Sequence, residues 1–75
     1  MTPSQMRMAR AGLKIGVRDL AKMAGVTTAT ITRYENEHAD LLASTRDKIQ
    51  RALEEAGVEF LPENGEGPGV RLKKR

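Results

Sequence analysis

The side chains in this sequence that can do chemistry are mostly charged, 13 lysines and arginines against 10 acids, and the cations crowd into its first half. There is no cysteine, so disulfides, thiolate nucleophiles and cysteine-based zinc sites are excluded. One histidine, His38, cannot build an imidazole metal site alone. No serine or carboxylate is paired in sequence with a base in a recognisable catalytic pattern. The glycine-rich stretch at 62–69 lacks the Gly-Lys-Ser/Thr ending of a phosphate loop, and no helical pattern follows it. No enzyme, metal or cofactor is expected. What remains is Arg7, Arg10, Lys14, Arg18, Lys22 and Arg33 in the first 36 residues, set against only Asp19 and Glu35. Residues 37–69 are net acidic, and 70–75 bring Arg71, Lys73, Lys74 and Arg75. A basic first half beside an acidic middle suits one face to a polyanion, although an unevenly charged solvated surface has the same composition.

The elements that must hold these cations follow from pattern. Thr2-Pro3-Ser4-Gln5 reads as a capping box with proline at the first helical position. Met6, Ala9, Arg10 and Leu13 then share a face, predicting a helix over 3–13 that Gly12 weakens. Gly16 opens a second helix, 17–24, with Asp19 in its first turn and Gly25 as a left-handed terminator. Thr27 caps a third, 28–35, with Ile31 and Tyr34 facing inward. Its threonines are poor helix formers, and Thr28, Ala29, Thr32 and Arg33 fall on the outer face. Leu41 and Leu42 are expected to tuck under the core. Ser44 and Asp47 suggest a cap for a fourth helix over 45–56, burying Ile49, Ala52, Leu53 and Ala56. Gly57 ends it. Val58–Leu61 and Val70–Lys73 then alternate as strands, joined by a breaker-rich link with an Asn64-Gly65 turn signal.

Two short helices joined at Gly25, with Ala21 small at their approach and Val26 and Ile31 locking them, have the physics of a helix-turn-helix. Its second helix enters the major groove of DNA. The segment resembles the Cro/repressor (XRE) helix-turn-helix family in Leu20-Ala21, Ala24-Gly25-Val26-Thr27 and Ile31-Thr32-Arg33-Tyr34-Glu35-Asn36. The resemblance covers residues 3–56. The endings Gly57-Val58-Glu59-Phe60 and Gly67-Pro68-Gly69-Val70-Arg71-Leu72 are similar to those of small bacterial regulators of this family. It implies a mainly α, four-helix, lambda-repressor-like DNA-binding domain over 1–57, with a C-terminal β hairpin or arm over 58–75. Val17 stands where the family carries a phosphate-holding glutamine, and the family's fifth helix is replaced by the β-like tail.

The implied site divides by role. Arg33 can pair with guanine, while Thr28, Ala29 and Thr32 are small enough to let the helix approach base edges. Backbone amides at Gly16 and Val17, with Arg18, Lys22, Thr27 and Asn36, suit phosphates. Lys14 and the basic tail are further candidates. His38 reads as a loop residue. In the resembling family, residues placed like Arg10 and Glu35 form a structural ion pair. Val58, Phe60, Val70 and Leu72 form one apolar face by alternation, and pairing that face with a second copy gives a homodimer. The alternative is that the hairpin folds back on helix 4 of its own chain. The expected function is a sequence-specific transcriptional regulator, most simply a repressor. The alternative is an antitoxin-type module that neutralises a toxin or other protein partner and regulates its own promoter. A soluble cytoplasmic protein bound to double-stranded DNA, away from membranes, fits either.

Overall fold

Thr2 opens the first helix as the sequence requires. Its hydroxyl accepts from the Gln5 amide at 3.1 Å, and the Gln5 side chain accepts from the Thr2 amide at 2.9 Å, closing the capping box. The computed structural model describes residues 1–62 and 65–73. Asn64 of the turn signal and the tail cations Lys74 and Arg75 lie outside the described residues. Four helices run α1 (Pro3–Leu13), α2 (Val17–Ala24), α3 (Thr28–Glu35) and α4 (Ala43–Glu55). Two strands follow, β1 (Val58–Leu61) and β2 (Gly69–Leu72), paired antiparallel. Among the described residues, no helix is long and apolar enough to cross a membrane.

With no tryptophan and one phenylalanine, the core is built from aliphatic side chains. Met6 and Ala9 of α1 meet Leu20, Ala21 and Ala24 of α2, Ile31 and Tyr34 of α3, and Ile49, Ala52 and Leu53 of α4. Val58 of β1 completes the cluster. The alanines let short helices approach closely, as their positions in the sequence suggested.

Gly25 ends α2 at φ 70°, and its amide bonds to the Ala21 carbonyl. A Cβ there would meet nothing within 4 Å, so only backbone conformation opposes substitution. Gly25→Ala is therefore expected to cost about 1–2 kcal/mol, the ordinary left-handed penalty. Urea denaturation followed by circular dichroism measures it. A loss below a few tenths of a kcal/mol would show that the turn relaxes out of this conformation.

Three expectations are corrected. The fourth helix begins at Ala43 rather than Thr45, with Leu42 at the cap position and no side-chain cap. Ser44 is already helical, because the Arg46 amide bonds to the Leu42 carbonyl at 2.9 Å. Asp40 fixes the entry in its place. Its Oδ1 accepts from the Leu41 amide and from the Arg46 guanidinium, each at 2.8 Å. Leu41 packs against the core, but Leu42, extended at the cap, is 77% exposed.

Ala56, expected to be buried within the fourth helix, is its half-buried C-cap. The hairpin bears on a further expectation. Its register pairs Val58 with Leu72 and Phe60 with Val70, which puts these four on one face as expected. Glu59 and Arg71 lie on the other face, joined at 2.8 Å. Arg71 holds the Glu59 carboxyl below the usual carboxylate range by its hydrogen bond. The apolar face is turned onto the chain's own α1 and α4, with Leu72 still 46% exposed. Val58 is fully buried, and Phe60 and Val70 are partly buried against the core. An isolated two-stranded ribbon is unstable in water, and these helices offer the nearest apolar cover. Leu72 lies over Gly12, whose missing side chain makes the room: a Cβ there would stand 3.3 Å from a Leu72 methyl.

Candidate nucleic-acid interface

The α2–turn–α3 unit is held by its own backbone. Gly16 caps α2, and the Asp19 carboxylate accepts from the Gly16 amide at 2.9 Å. After Gly25, the Val26 amide reaches the Ala21 carbonyl at 3.0 Å and closes the turn. Thr27 then caps α3, its hydroxyl oxygen accepting from the Thr30 amide at 3.3 Å. The starts of both short helices and the turn between them are thereby closed by residues of the unit itself.

Helix α3 divides cleanly by burial. Ile31, Tyr34 and Glu35 are buried, while Thr28, Ala29, Thr32 and Arg33 are all exposed. The only acid on the helix is the buried Glu35, so the outer face carries a cation and small side chains. Nothing on that face exceeds threonine in bulk except Arg33, so a groove could come close to the helix.

The phosphate candidates surround this face in sequence and sit at its helix ends. Gly16, Arg18, Lys22, Thr27 and Asn36 are exposed. Arg18 and Lys22 are four apart on α2 and so share a face. The Val17 side chain packs against the core, which leaves its amide as the only polar group it could offer. The Thr27 hydroxyl is engaged in capping and with Thr30. Past α3, the Asn36 amide bonds to the Thr32 carbonyl at 3.0 Å and the His38 amide to the Arg33 carbonyl at 2.8 Å. His38 is an exposed loop residue, as read from the sequence.

Arg10 and Glu35 meet. The guanidinium Nε lies 3.2 Å from one carboxylate oxygen and a terminal nitrogen bonds the other, a two-pronged arrangement. The Glu35 side chain is 7% exposed and that of Arg10 21%. Arg10 also donates to the Ile15 carbonyl at 3.1 Å, so one side chain joins α1, the α1–α2 turn and α3.

Sequence reasoning missed two residues that set this frame. Arg7 donates to the main-chain carbonyl of Glu35 and to the Ser4 hydroxyl, so a cation counted toward polyanion binding is engaged at the end of α3. Gln5 was read only as a cap, yet it is buried and donates to the carbonyls of Leu61 and Gly69. Nothing in the local pattern marks either contact, since both partners lie far away in sequence. Tyr34 donates to the Met1 carbonyl at 2.9 Å. Burial raises its pKa above the ordinary value.

Comparison with known proteins is consistent with this geometry. Residues 16–62, from the α2 cap to just past β1, match the family model of bacterial regulatory proteins of the lacI family. The chain is 30% identical over 50 residues to the HTH-type transcriptional regulator MalR of Clostridium butyricum. That match takes in 67% of this chain but only 14% of MalR. The Cro/repressor likeness read from the motif is met at the level of the helix-turn-helix, while the family model that matches is the lacI one. Helix α1 and strand β2 lie outside that match. A helix-turn-helix whose second helix has an exposed, acid-free outer face, inside a family match spanning most of the chain, leads to one conclusion: the chain belongs to the lacI family of bacterial regulatory proteins and carries the DNA-binding domain of a transcriptional regulator.

Proposed function

We propose that the chain binds specific operator sequences as a repressor, with α3 in the major groove. The observation that carries this reading is the exposed face of α3, where Thr28, Ala29, Thr32 and Arg33 stand together while the helix's one acid, Glu35, is buried. In this role Arg33 pairs with a guanine through O6 and N7, and the small residues press against base edges and thymine methyls. Arg18 and Lys22, with the amides of Gly16 and Val17, the N-terminus of α3 at Thr27, and Asn36, fix the domain on the phosphates. An eight-residue helix spans few base pairs. Two copies on half-sites about 34–36 Å apart supply the missing specificity, so the active species is a homodimer. Occupying a promoter is enough to repress it.

Selection of bound duplexes from a random pool, followed by footprinting, tests this reading. A single enriched operator with two related half-sites is expected. On that operator Arg33→Ala should cost ~1–3 kcal/mol and relax one base position. A pool that shows no enrichment over the wild-type chain would overturn sequence-specific binding. Equal losses for Arg33→Ala on operator and random duplex would move Arg33 from bases to phosphate.

A further inference from the structure

The hairpin leaves one of its two backbone edges open. The Lys73 amide donates to the Gly57 carbonyl at 2.8 Å, which continues the register of the strands by one pair. Hydrogen-bonded pairs alternate along an antiparallel ladder, so they join Gly57 with Lys73, Glu59 with Arg71 and Leu61 with Gly69. The amides and carbonyls of Val58 and Phe60 on β1, and of Val70 and Leu72 on β2, therefore point away from the ribbon. Val58 is fully buried, so the β1 edge is covered there. Leu72 is 46% exposed, and among the described residues nothing bonds to the outward groups of Val70 and Leu72. An apolar strip borders this edge. Gln5, Met8 and Gly12 share one stripe of α1. Gln5 bonds to the Gly69 carbonyl and Gly12 lies against Leu72, so Met8 stands between them beside the strand. Met8 is 38% exposed.

We propose that the open edge of β2 is the homodimer interface, paired antiparallel with β2 of a second copy so that Val70 of each chain lies opposite Leu72 of the other. The proposal rests on the two-half-site reading above and names the surface that joins the copies. The edge complements itself. With the two-fold axis at Arg71, every outward amide of Val70 and Leu72 meets an outward carbonyl of the second copy, and no group is left over. On the face toward α1 the pairing covers Leu72 with Val70 of the second copy, and Met8 borders the seam. A second copy thus closes an edge that otherwise invites indiscriminate strand pairing. On the other face Arg71 meets Arg71 of the second copy, which opposes the pairing. Each guanidinium is held by its own Glu59 at 2.8 Å, so the row of charges across the joined strands is neutral.

Because the chain has no cysteine, one introduced thiol reads the pairing in the full chain. In Arg71→Cys the new thiol faces its mate across a pair without direct hydrogen bonds, with Cα atoms about 4.5 Å apart, within the span of a disulfide. In Glu59→Cys it stands three strand spacings from its mate, roughly 14 Å, and out of reach. Under mild oxidation Arg71→Cys is expected to become a covalent dimer while Glu59→Cys stays a single chain. Light scattering of the wild type is expected to give the mass of two chains. Leu72→Pro removes an outward amide and no ladder bond, so it should weaken the dimer about tenfold or more by taking one bond from each copy. Should Leu72→Pro fail to fold, the two cysteine variants decide. A wild type that remains a single chain at millimolar concentration overturns the proposal. So do equal cross-linking rates for the two cysteine variants, or an unchanged dimer in folded Leu72→Pro. A single chain that still selects an operator with two half-sites refutes this edge and leaves DNA binding standing. A dimer linked through Arg71→Cys that binds no duplex supports the edge and refutes the DNA-binding reading.

Discussion

Replacing Glu35 by alanine is expected to destabilise the protein by about 3 kcal/mol or more, the lower end of the range for breaking a buried ion pair. The reason is what the alanine leaves behind. Arg10 is held mostly out of water, and without Glu35 its remaining partner among the described residues is the Ile15 carbonyl. Arg10 keeps some contact with solvent, which puts the expectation at the lower end and not the upper. On the general scale, a chain of 75 residues has roughly 4–11 kcal/mol of stability in all. The variant is therefore expected to melt well below the wild type and to populate unfolded chains near physiological temperature. Thermal and urea denaturation measure this directly. A double replacement, Arg10→Met with Glu35→Leu, is expected to recover much of the loss, because it removes both charges together. A loss below 1 kcal/mol for Glu35→Ala would mean that the pair behaves as an exposed one.

The same variant separates structure from recognition. Glu35 is buried and cannot touch DNA in this fold, so folded Glu35→Ala molecules should bind with the wild-type base preference. Excess operator should raise the melting temperature of both proteins by mass action. A changed preference would show that the ion pair also sets the angle of α3. That is physically reasonable, since α3 is short and Arg7 and Arg10 both grip its last residue.

The three helices that present the site were legible because their ends carry local signals. Thr2 with Gln5, Gly16 with Asp19, and Thr27 each act within three residues, and so does the left-handed glycine at 25. The outer face of α3 follows from the same periodicity. The start of α4 was not legible, because its boundary is set by Asp40 reaching Arg46 and by burial of Ile49 and Leu53, while Ser44 offered a competing cap. The placement of the hairpin was harder still. Period-two alternation identifies an apolar face but not what covers it: a second copy and the chain's own fourth helix satisfy the pattern equally, and α1 was not foreseen. Gly12 was the discriminating residue. Read as a weak point in a helix, it is a seat for Leu72.

Gln5 carries the other large expected effect. Its side-chain amide donates to the Leu61 carbonyl at 3.0 Å and to the Gly69 carbonyl at 2.9 Å, while its oxygen accepts from the Thr2 amide. Leu61 and Gly69 are the cross-strand pair at the loop end of the hairpin, so one side chain fastens both strands to α1. Gln5→Ala removes three bonds from a buried position. At about 0.5–1.5 kcal/mol each, the loss should be about 2–4 kcal/mol. The damage should be local first. Amide exchange at Phe60 and Val70 is expected to speed up more than at Leu20 or Ile31, whose elements Gln5 does not touch. Gln5→Glu makes the argument sharper, because it keeps the shape and the bond from Thr2 but turns an acceptor toward two carbonyls. Ionised, it should be worse than alanine at neutral pH. Burial against carbonyls raises the pKa of such a carboxyl in the folded state, so its penalty is greatest above the folded pKa and fades as pH falls toward the unfolded value. The stability gap between the glutamate and alanine variants should therefore narrow, or reverse, on acidification. A gap that stays constant from neutral to mildly acidic pH would mean that position 5 does not face those carbonyls. Uniform acceleration of exchange throughout the chain would mean that the hairpin opens only when the whole domain does.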